Sequence, residues 1–248
     1  MMKTILGVVA ALGLFVAPVL AADLGGKVLR IGTDATYPPM ETVDEATGKI
    51  VGFDIDVMNA ICAKINCKTN FVNTGWDGIF GALQQGEFDM VISGVSITEE
   101  RDKIVDFSEP YLVVSQAILI RVEDEGLTLA KFKSSGKKLA AQNATTNAEL
   151  AKELIGRDLV QLYDTYAGAI LALQGGDVDG VIIDGTSADA YEQQFAGELT
   201  IGIKGLKADP LGLVTPEGSE LVDSLNEGLA AIQSDGTLDE LISKYWSK

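Results

Sequence analysis

The residues best suited to chemistry lie between Phe88 and Tyr111, in the run FDMVISGVSITEERDKIVDFSEPY. An apolar strand, Met90-Val91-Ile92, runs into a small polar turn, Ser93-Gly94-Val95-Ser96. A helix start is expected next, with Thr98 as N-cap and Glu99-Glu100 in the first turn, where carboxylates suit the helix dipole. Arg101 follows one turn in. Serine hydroxyls and free backbone amides at a strand end, with an arginine close behind, make a site for a carboxylate. The guanidinium is a planar fork that holds both carboxylate oxygens. Taken alone, the same pattern also fits a buried strand, an ordinary turn and a solvated Arg101.

Other polar groups fall at similar places. Asp34 and Tyr37 sit just past the carboxyl end of the strand Lys27–Ile31, where α/β sheets put their ligands. As plain structure, Asp34 is a turn former and Tyr37 a half-buried core residue. Trp76 stands at a strand-to-helix corner and is either core or a platform for a ligand. Thr145 and Thr146 open a helix whose first free amides attract an anion, and either also serves as a simple cap. Asp184 ends the strand Val178–Ile183 and is otherwise an N-cap for the helix after it.

The elements that must carry these groups alternate. Strand 27–31, a hairpin strand at 50–53, a helix capped by Asp54, strand 68–72, helix 76–85 and strand 89–92 argue for a parallel α/β layer. Ile55, Met58, Cys62 and Ile65 recur at helical spacing and are expected in the core. Residues 111–122 form one extended run broken by Ser115-Gln116, which suits a crossing strand between two lobes. The alternation restarts with strand 138–142, helix 147–154, strand 159–162, helix 165–173, strand 178–183 and helix 187–195. Residues 201–210 are a second candidate crossing, before a strand at 211–215 and helices at 220–234 and 238–246. ALQQGEFDMVI at 82–92 echoes ALQGGDVDGVI at 172–182, as two similar lobes would. Two lobes without a flexible linker imply rigid crossings and a hinge.

Composition narrows the function. The chain has 248 residues, 47% hydrophobic, and a net charge of −17. That charge argues against nucleic acid and against anionic lipid surfaces. The chain has no histidine, which removes Ser-His-Asp and Cys-His catalysis and most zinc sites. No metal and no cofactor is called for. The N-terminus reads as a cleavable secretory signal over 1–21: Lys3, an apolar stretch from Ile5 to Val16, then Pro18-Val19-Leu20-Ala21. The competing reading is an uncleaved anchor. Cys62 and Cys67 suit a short-loop disulfide in an oxidising compartment, with a metal pair or two free thiols as the other readings.

With these residues in view, the chain resembles the periplasmic solute-binding proteins of polar amino-acid ABC transporters, the family of lysine/arginine/ornithine-, histidine- and glutamine-binding proteins. The likeness runs from about Leu29 to Trp246. It rests on GTDATYPPME at 32–41, GFDID at 52–56, WDGI at 76–79, ISGVSITEER at 92–101, FSEPY at 107–111 and DGTL at 235–238. It implies two α/β lobes joined by two crossing strands, of the type II periplasmic-binding-protein kind, with the ligand cleft between them. Lobe 1 would be 22–114 and 207–248, lobe 2 would be 115–206, and the hinge would include Ser115 and Gln116. By this likeness Arg101 holds a ligand α-carboxylate with Ser96 and Thr146, in the loop with Ser93 and Thr145. Asp184, Ser96 and the Gly94 carbonyl hold its α-ammonium. Tyr37 and Trp76 sandwich the side chain, and Asp34 meets its polar end.

The expected ligand is therefore a free polar amino acid, arginine or lysine in type, because Asp34 between aromatic faces suits a cation. Glutamine is the alternative, since the family's glutamine binders carry an aspartate here too. The expected partners are a membrane permease and its ATPase, the expected state a monomer in the periplasm. Two readings from other classes are a cyclohexadienyl dehydratase, which looks like this family, and a receptor ectodomain. Two departures stand out: Gly94 replaces the family's usual second serine, and the connection 199–212 is short.

Overall fold

The computed structural model describes residues 22–246, so the expected signal over 1–21 lies outside them. In chain order the elements are β1 Lys27–Thr33, β2 Thr36–Tyr37, β3 Glu41–Val43, β4 Ile50–Val51, α1 Phe53–Lys64, β5 Cys67–Asn73, α2 Ile79–Gln84, β6 Met90–Val91, β7 Val105–Phe107 and β8 Leu112–Arg121. Then come α3 Leu129–Ser135, β9 Leu139–Gln142, α4 Thr146–Ile155, β10 Val160–Tyr163, α5 Tyr166–Gly175, β11 Gly180–Asp184, α6 Gly185–Gln194, β12 Leu199–Ile203, β13 Ala208–Leu211, β14 Val214–Pro216, α7 Leu221–Ser234 and α8 Thr237–Trp246.

Two α/β lobes result. The first sheet has the order β5-β1-β6-β14-β7, the second β10-β9-β11-β8-β12. In the first, β5, β1 and β6 are parallel, and β14 runs antiparallel to β6 and β7. The expected parallel layer is thus mixed at one edge. A small sheet, β2-β3-β4, sits over the first lobe. Long β8 belongs to both halves: Leu112–Ser115 pairs with β13, while Gln116–Arg121 pairs with β11 and β12. At the switch, the Gln116 amide donates to the Lys207 carbonyl, and its side chain donates to Asp209 at 2.8 Å.

The internal echo is real at the level of hydrogen bonds. Gly86 and Gly176 end α2 and α5 with φ of 75° and 82°, a conformation glycine takes without penalty. Both amides donate to a leucine three residues back, Leu83 and Leu173. Three residues on, Asp89 and Asp179 each accept an amide at the neighbouring strand, Arg30 within β1 and Lys138 just before β9, at 2.8 Å. The same helix–glycine–aspartate–strand unit therefore aims β6 and β11 at the space between the lobes.

Ile55, Met58, Cys62 and Ile65 are all buried, as helical spacing predicts. Cys62 and Cys67 form a disulfide that ties the end of α1 to β5. Four expectations change. Asp54 does not cap α1; Gly52 is the N-cap and Asp54 is turned inward and fully buried. Thr98 starts no long helix. It accepts the Arg101 amide at 3.2 Å, and only a short 3-10 turn, Arg101–Lys103, follows. The strand expected at 211–215 is split, because the Gly212 amide leaves the sheet to donate to Val95. Helix α3 was not foreseen; Thr128 caps it and Phe132 is its one buried residue.

Candidate ligand-binding cleft

Strand ends from both lobes face one narrow cleft. All ten residues expected at the site line it: Asp34, Tyr37, Trp76, Ser93, Gly94, Ser96, Arg101, Thr145, Thr146 and Asp184. Glu41, Gln142, Asn147 and Tyr166 line it as well.

Arg101 forms one end. Its Nη1 donates to the Ser96 carbonyl at 2.9 Å and its Nη2 to the Ala144 carbonyl at 3.4 Å. The guanidinium lies 5.2 Å from the Trp76 ring centre and 5.3 Å from that of Phe80. Burial pulls its pKa down to about 10, against the pull of Asp209 and Asp184, so it stays a cation at neutral pH. Opposite stands the start of α4. Thr145 caps it, accepting the Ala148 amide at 3.1 Å and donating to the Gln142 carbonyl at 2.7 Å. That leaves Thr146 free to share a hydrogen bond of 3.2 Å with Ser96 across the cleft. Two hydroxyls, a helix N-terminus and an arginine converge, which is an anion site by chemistry and by dipole.

Asp184 forms the opposite pole. It is the last residue of β11 and buried. Asn147 donates to it at 3.0 Å and is itself held by the Tyr166 hydroxyl at 2.7 Å. The Tyr37 hydroxyl is hydrogen-bonded to it as well. Burial raises its pKa above the ordinary carboxylate value, and these donors oppose the rise. Burial, then the Asp184 charge, pushes the Tyr37 and Tyr166 hydroxyls far up, so both remain donors. The two tyrosine rings stack at 5.0 Å, one from each lobe. Gly94 lies beside them with φ of 55°, and a Cβ there would come within 3.2 Å of the Tyr37 ring. A serine here would have to adopt the positive φ and press on the Tyr37 ring.

Asp34 marks a third point. Its Oδ1 accepts from the Thr36 hydroxyl at 2.7 Å and its Oδ2 from Gln142 at 2.9 Å. Its amide donates to Ser93 at 3.0 Å. Trp76 keeps its Nε1–H on the Ala144 carbonyl at 3.1 Å.

Gln142 had a signal in the sequence: it is the last residue of β9, the same strand-end position that marks Asp184. Asn147 follows the threonine pair directly. Glu41 and Tyr166 gave no such sign, since each looks like an ordinary residue at an element's start. No group of three or more possible metal ligands exists among the described residues.

Comparison with known proteins agrees with this geometry. The family model of bacterial extracellular solute-binding proteins, family 3, matches residues 29–248. An ABC transporter arginine-binding protein 1 of Escherichia coli K12 is 34% identical, over 88% of this chain and 90% of its own. An ancestral arginine-binding protein solved with bound glutamine superposes with a TM-score of 0.84 at 37% identity, covering 89% of this chain and 98% of that one. An ancestral amino-acid-binding protein described as a precursor of cyclohexadienyl dehydratase superposes with a TM-score of 0.81 at 35% identity, covering 89% and 96%. The chain belongs to the bacterial extracellular solute-binding proteins of family 3.

Proposed function

We infer that this protein closes on one basic L-amino acid, arginine or lysine in type, and delivers it to the permease and ATPase of an ABC transporter. The observation that carries the reading is the charge layout of the cleft. Arg101 faces hydroxyls and a helix start at one end, Asp184 sits among donors at the other, and Asp34 stands apart from both. A free amino acid supplies an anion for Arg101 and an ammonium for Asp184. A third, positive group on the side chain then neutralises Asp34. The carboxylate ligands come from both lobes, so only the closed cleft satisfies the whole ligand, and binding shifts the population toward closure.

The lobes divide near residues 114 and 207, with Ser115 and Gln116 as the hinge; the switch of β8 between partners supports this. Export through the signal at 1–21 and the Cys62–Cys67 disulfide suit an oxidising periplasm. A second reading, glutamine, is favoured by one finding: the ancestral arginine-binding protein was solved with glutamine in place. A dehydratase would need a carboxylic acid aimed at the ligand. Glu41 is the candidate in the cleft, but its hydrogen bond runs to Ser93 instead.

Calorimetric titration of ligand-stripped protein with arginine, lysine, ornithine, histidine, glutamine and glutamate tests the reading. Basic amino acids should bind tightest and glutamate not at all. Tight binding of glutamine alone would retain the clamp and reject the cationic specificity, and turnover of prephenate without binding of any amino acid would reject the transport reading.

A further inference from the structure

Glu41 and Asp54 are both fully buried, one at the start of β3 and the other in the first turn of α1, directly behind the Ser93-Gly94 turn. Their side chains hold adjacent residues of one turn, Glu41 through the Ser93 hydroxyl and Asp54 through the Gly94 amide, so two carboxyls share one dry space in which like charges disfavour ionising both. Their partners decide which holds a proton. Asp54 accepts the Gly94 amide at 2.7 Å and the Tyr111 hydroxyl at 2.8 Å, two donors that favour an anion. Glu41 accepts only from the Ser93 hydroxyl, at 2.8 Å on Oε1, and no donor reaches its Oε2. A buried carboxyl oxygen that no donor reaches is the one best left carrying the proton.

We propose that Glu41 is a neutral positioning residue of the ligand site, and that the single proton of the Glu41–Asp54 pair fixes the Ser93-Gly94 turn on which the ligand's ammonium end and Asp34 both depend. This rests on the reading of the cleft given above. The route is short. Glu41 orients the Ser93 hydroxyl, which accepts the Asp34 amide. Asp54 fixes the Gly94 amide, hence the direction of the adjoining carbonyl. A neutral Glu41 also sets the charge of the cleft: Asp34 and Asp184 against Arg101 leave one negative charge, matched by one basic amino acid. Burial, then the Asp54 charge, raises Glu41 well above the ordinary carboxyl range; burial raises Asp54 as well, to about 6, against the opposing Gly94 and Tyr111 donors. The titratable groups facing the pair are Asp34 from the β1–β2 loop, Tyr111 ahead of β8, Tyr245 of α8, which feels the Asp54 charge, and Asp184 of β11 acting on Tyr111.

The test compares wild type with Glu41→Gln and Glu41→Ala. Glutamine copies a neutral acid, donor and acceptor both, whereas alanine removes the acceptor of the buried Ser93 hydroxyl. Arginine affinity at neutral pH should stay within about threefold of wild type in Glu41→Gln and fall about tenfold or more in Glu41→Ala, the usual cost of a stranded buried polar group. A Glu41→Gln variant as weak as Glu41→Ala would overturn the proposal. Melting of the ligand-free proteins gives the proton directly. A carboxyl raised by folding stabilises the native state at low pH and loses that contribution as pH rises through its folded value. Wild type should therefore lose stability relative to Glu41→Gln as pH climbs above the ordinary carboxyl range; parallel profiles would overturn the proposal. An infrared protonated-carboxyl band in wild type at neutral pD, lost in Glu41→Gln, should agree, and its absence from wild type would overturn the proposal even if the variant failed to fold. Wild type that binds no basic amino acid would reject the specificity reading, while the melting and infrared results would still decide the proton.

Discussion

The two lobes share a construction unit and use it for opposite chemistry. In lobe 1 the helix–glycine–aspartate–strand unit delivers β6 to a turn of amides and hydroxyls, Ser93 to Ser96, with Arg101 behind it. In lobe 2 the same unit delivers β11 to a carboxylate, Asp184. The shared hydrogen bonds, Arg30 and Lys138 amides to Asp89 and Asp179, fix only where each strand points. The difference lies in the residue at the tip. A repeated scaffold thus places a cation pole and an anion pole on facing surfaces. The lobes also differ in how the tips are secured. Lobe 1 holds its turn from beneath with buried Glu41, Asp54 and Tyr111, whereas lobe 2 holds Asp184 with neutral groups, Asn147 and Tyr166.

Removing either pole should break this comparison most severely. Arg101→Ala should cost ligand binding about 2–5 kcal/mol, as for truncation of a buried hydrogen-bonded charge pair, and a calorimetric titration should show no saturable binding at micromolar ligand. Asp184→Asn should weaken binding less, about 1–3 kcal/mol, because the amide keeps the shape and one acceptor. It should also change the pH dependence. The Asp184 pKa is raised by burial, so wild-type affinity should fall as pH drops through that raised value, while Asp184→Asn should show a flatter profile. Affinity measured across the acid range decides this.

Two smaller effects separate scaffold from site. Cys62 and Cys67 lie in lobe 1 away from the cleft. Their joint replacement by serine should cost about 2 kcal/mol of stability, the chain-entropy value for so short a loop, with arginine affinity unchanged. Denaturant unfolding beside titration checks both halves. Ala144 in lobe 2 has φ of 57°, a conformation that disfavours a side chain, and its carbonyl receives Trp76 and Arg101 from lobe 1. Ala144→Gly should stabilise the protein by up to about 1 kcal/mol, a melting increase of about 2–4 °C. A drop in melting temperature would show that the strain is compensated elsewhere.

Much of the site was legible because strand ends carry it. A strand period followed by small, polar or charged residues marked Asp34, Ser93, Ser96 and Asp184, and the threonine pair marked the start of α4. What escaped was set by burial rather than by local pattern. Asp54 lies at the first turn of a helix, so it reads as a cap; only the packed lobe shows it turned inward to Gly94 and Tyr111. Glu41 sits in a loop-rich stretch, and only the fold shows it fully buried at the start of β3, paired with Tyr37 of β2. Tyr166 begins α5 as any apolar-face residue would, and meets Tyr37 only because the lobes come together. After Thr98 the chain makes only one turn, closed by the Asp102 amide on the Thr98 carbonyl and the Ile104 amide on the Arg101 carbonyl, before β7 begins at Val105.

The central claim is that three charged residues read three groups of one ligand, with Asp34 assigned to the side chain alone. The most direct test is the affinity of wild type and Asp34→Asn for arginine and for glutamine, four titrations under one set of conditions. The account predicts that arginine loses about tenfold or more while glutamine changes by less than about threefold, a coupling of roughly 1 kcal/mol or more between residue and ligand charge. Equal losses for both ligands would contradict it, and would make Asp34 a support of the Ser93 turn rather than the reader of the side chain.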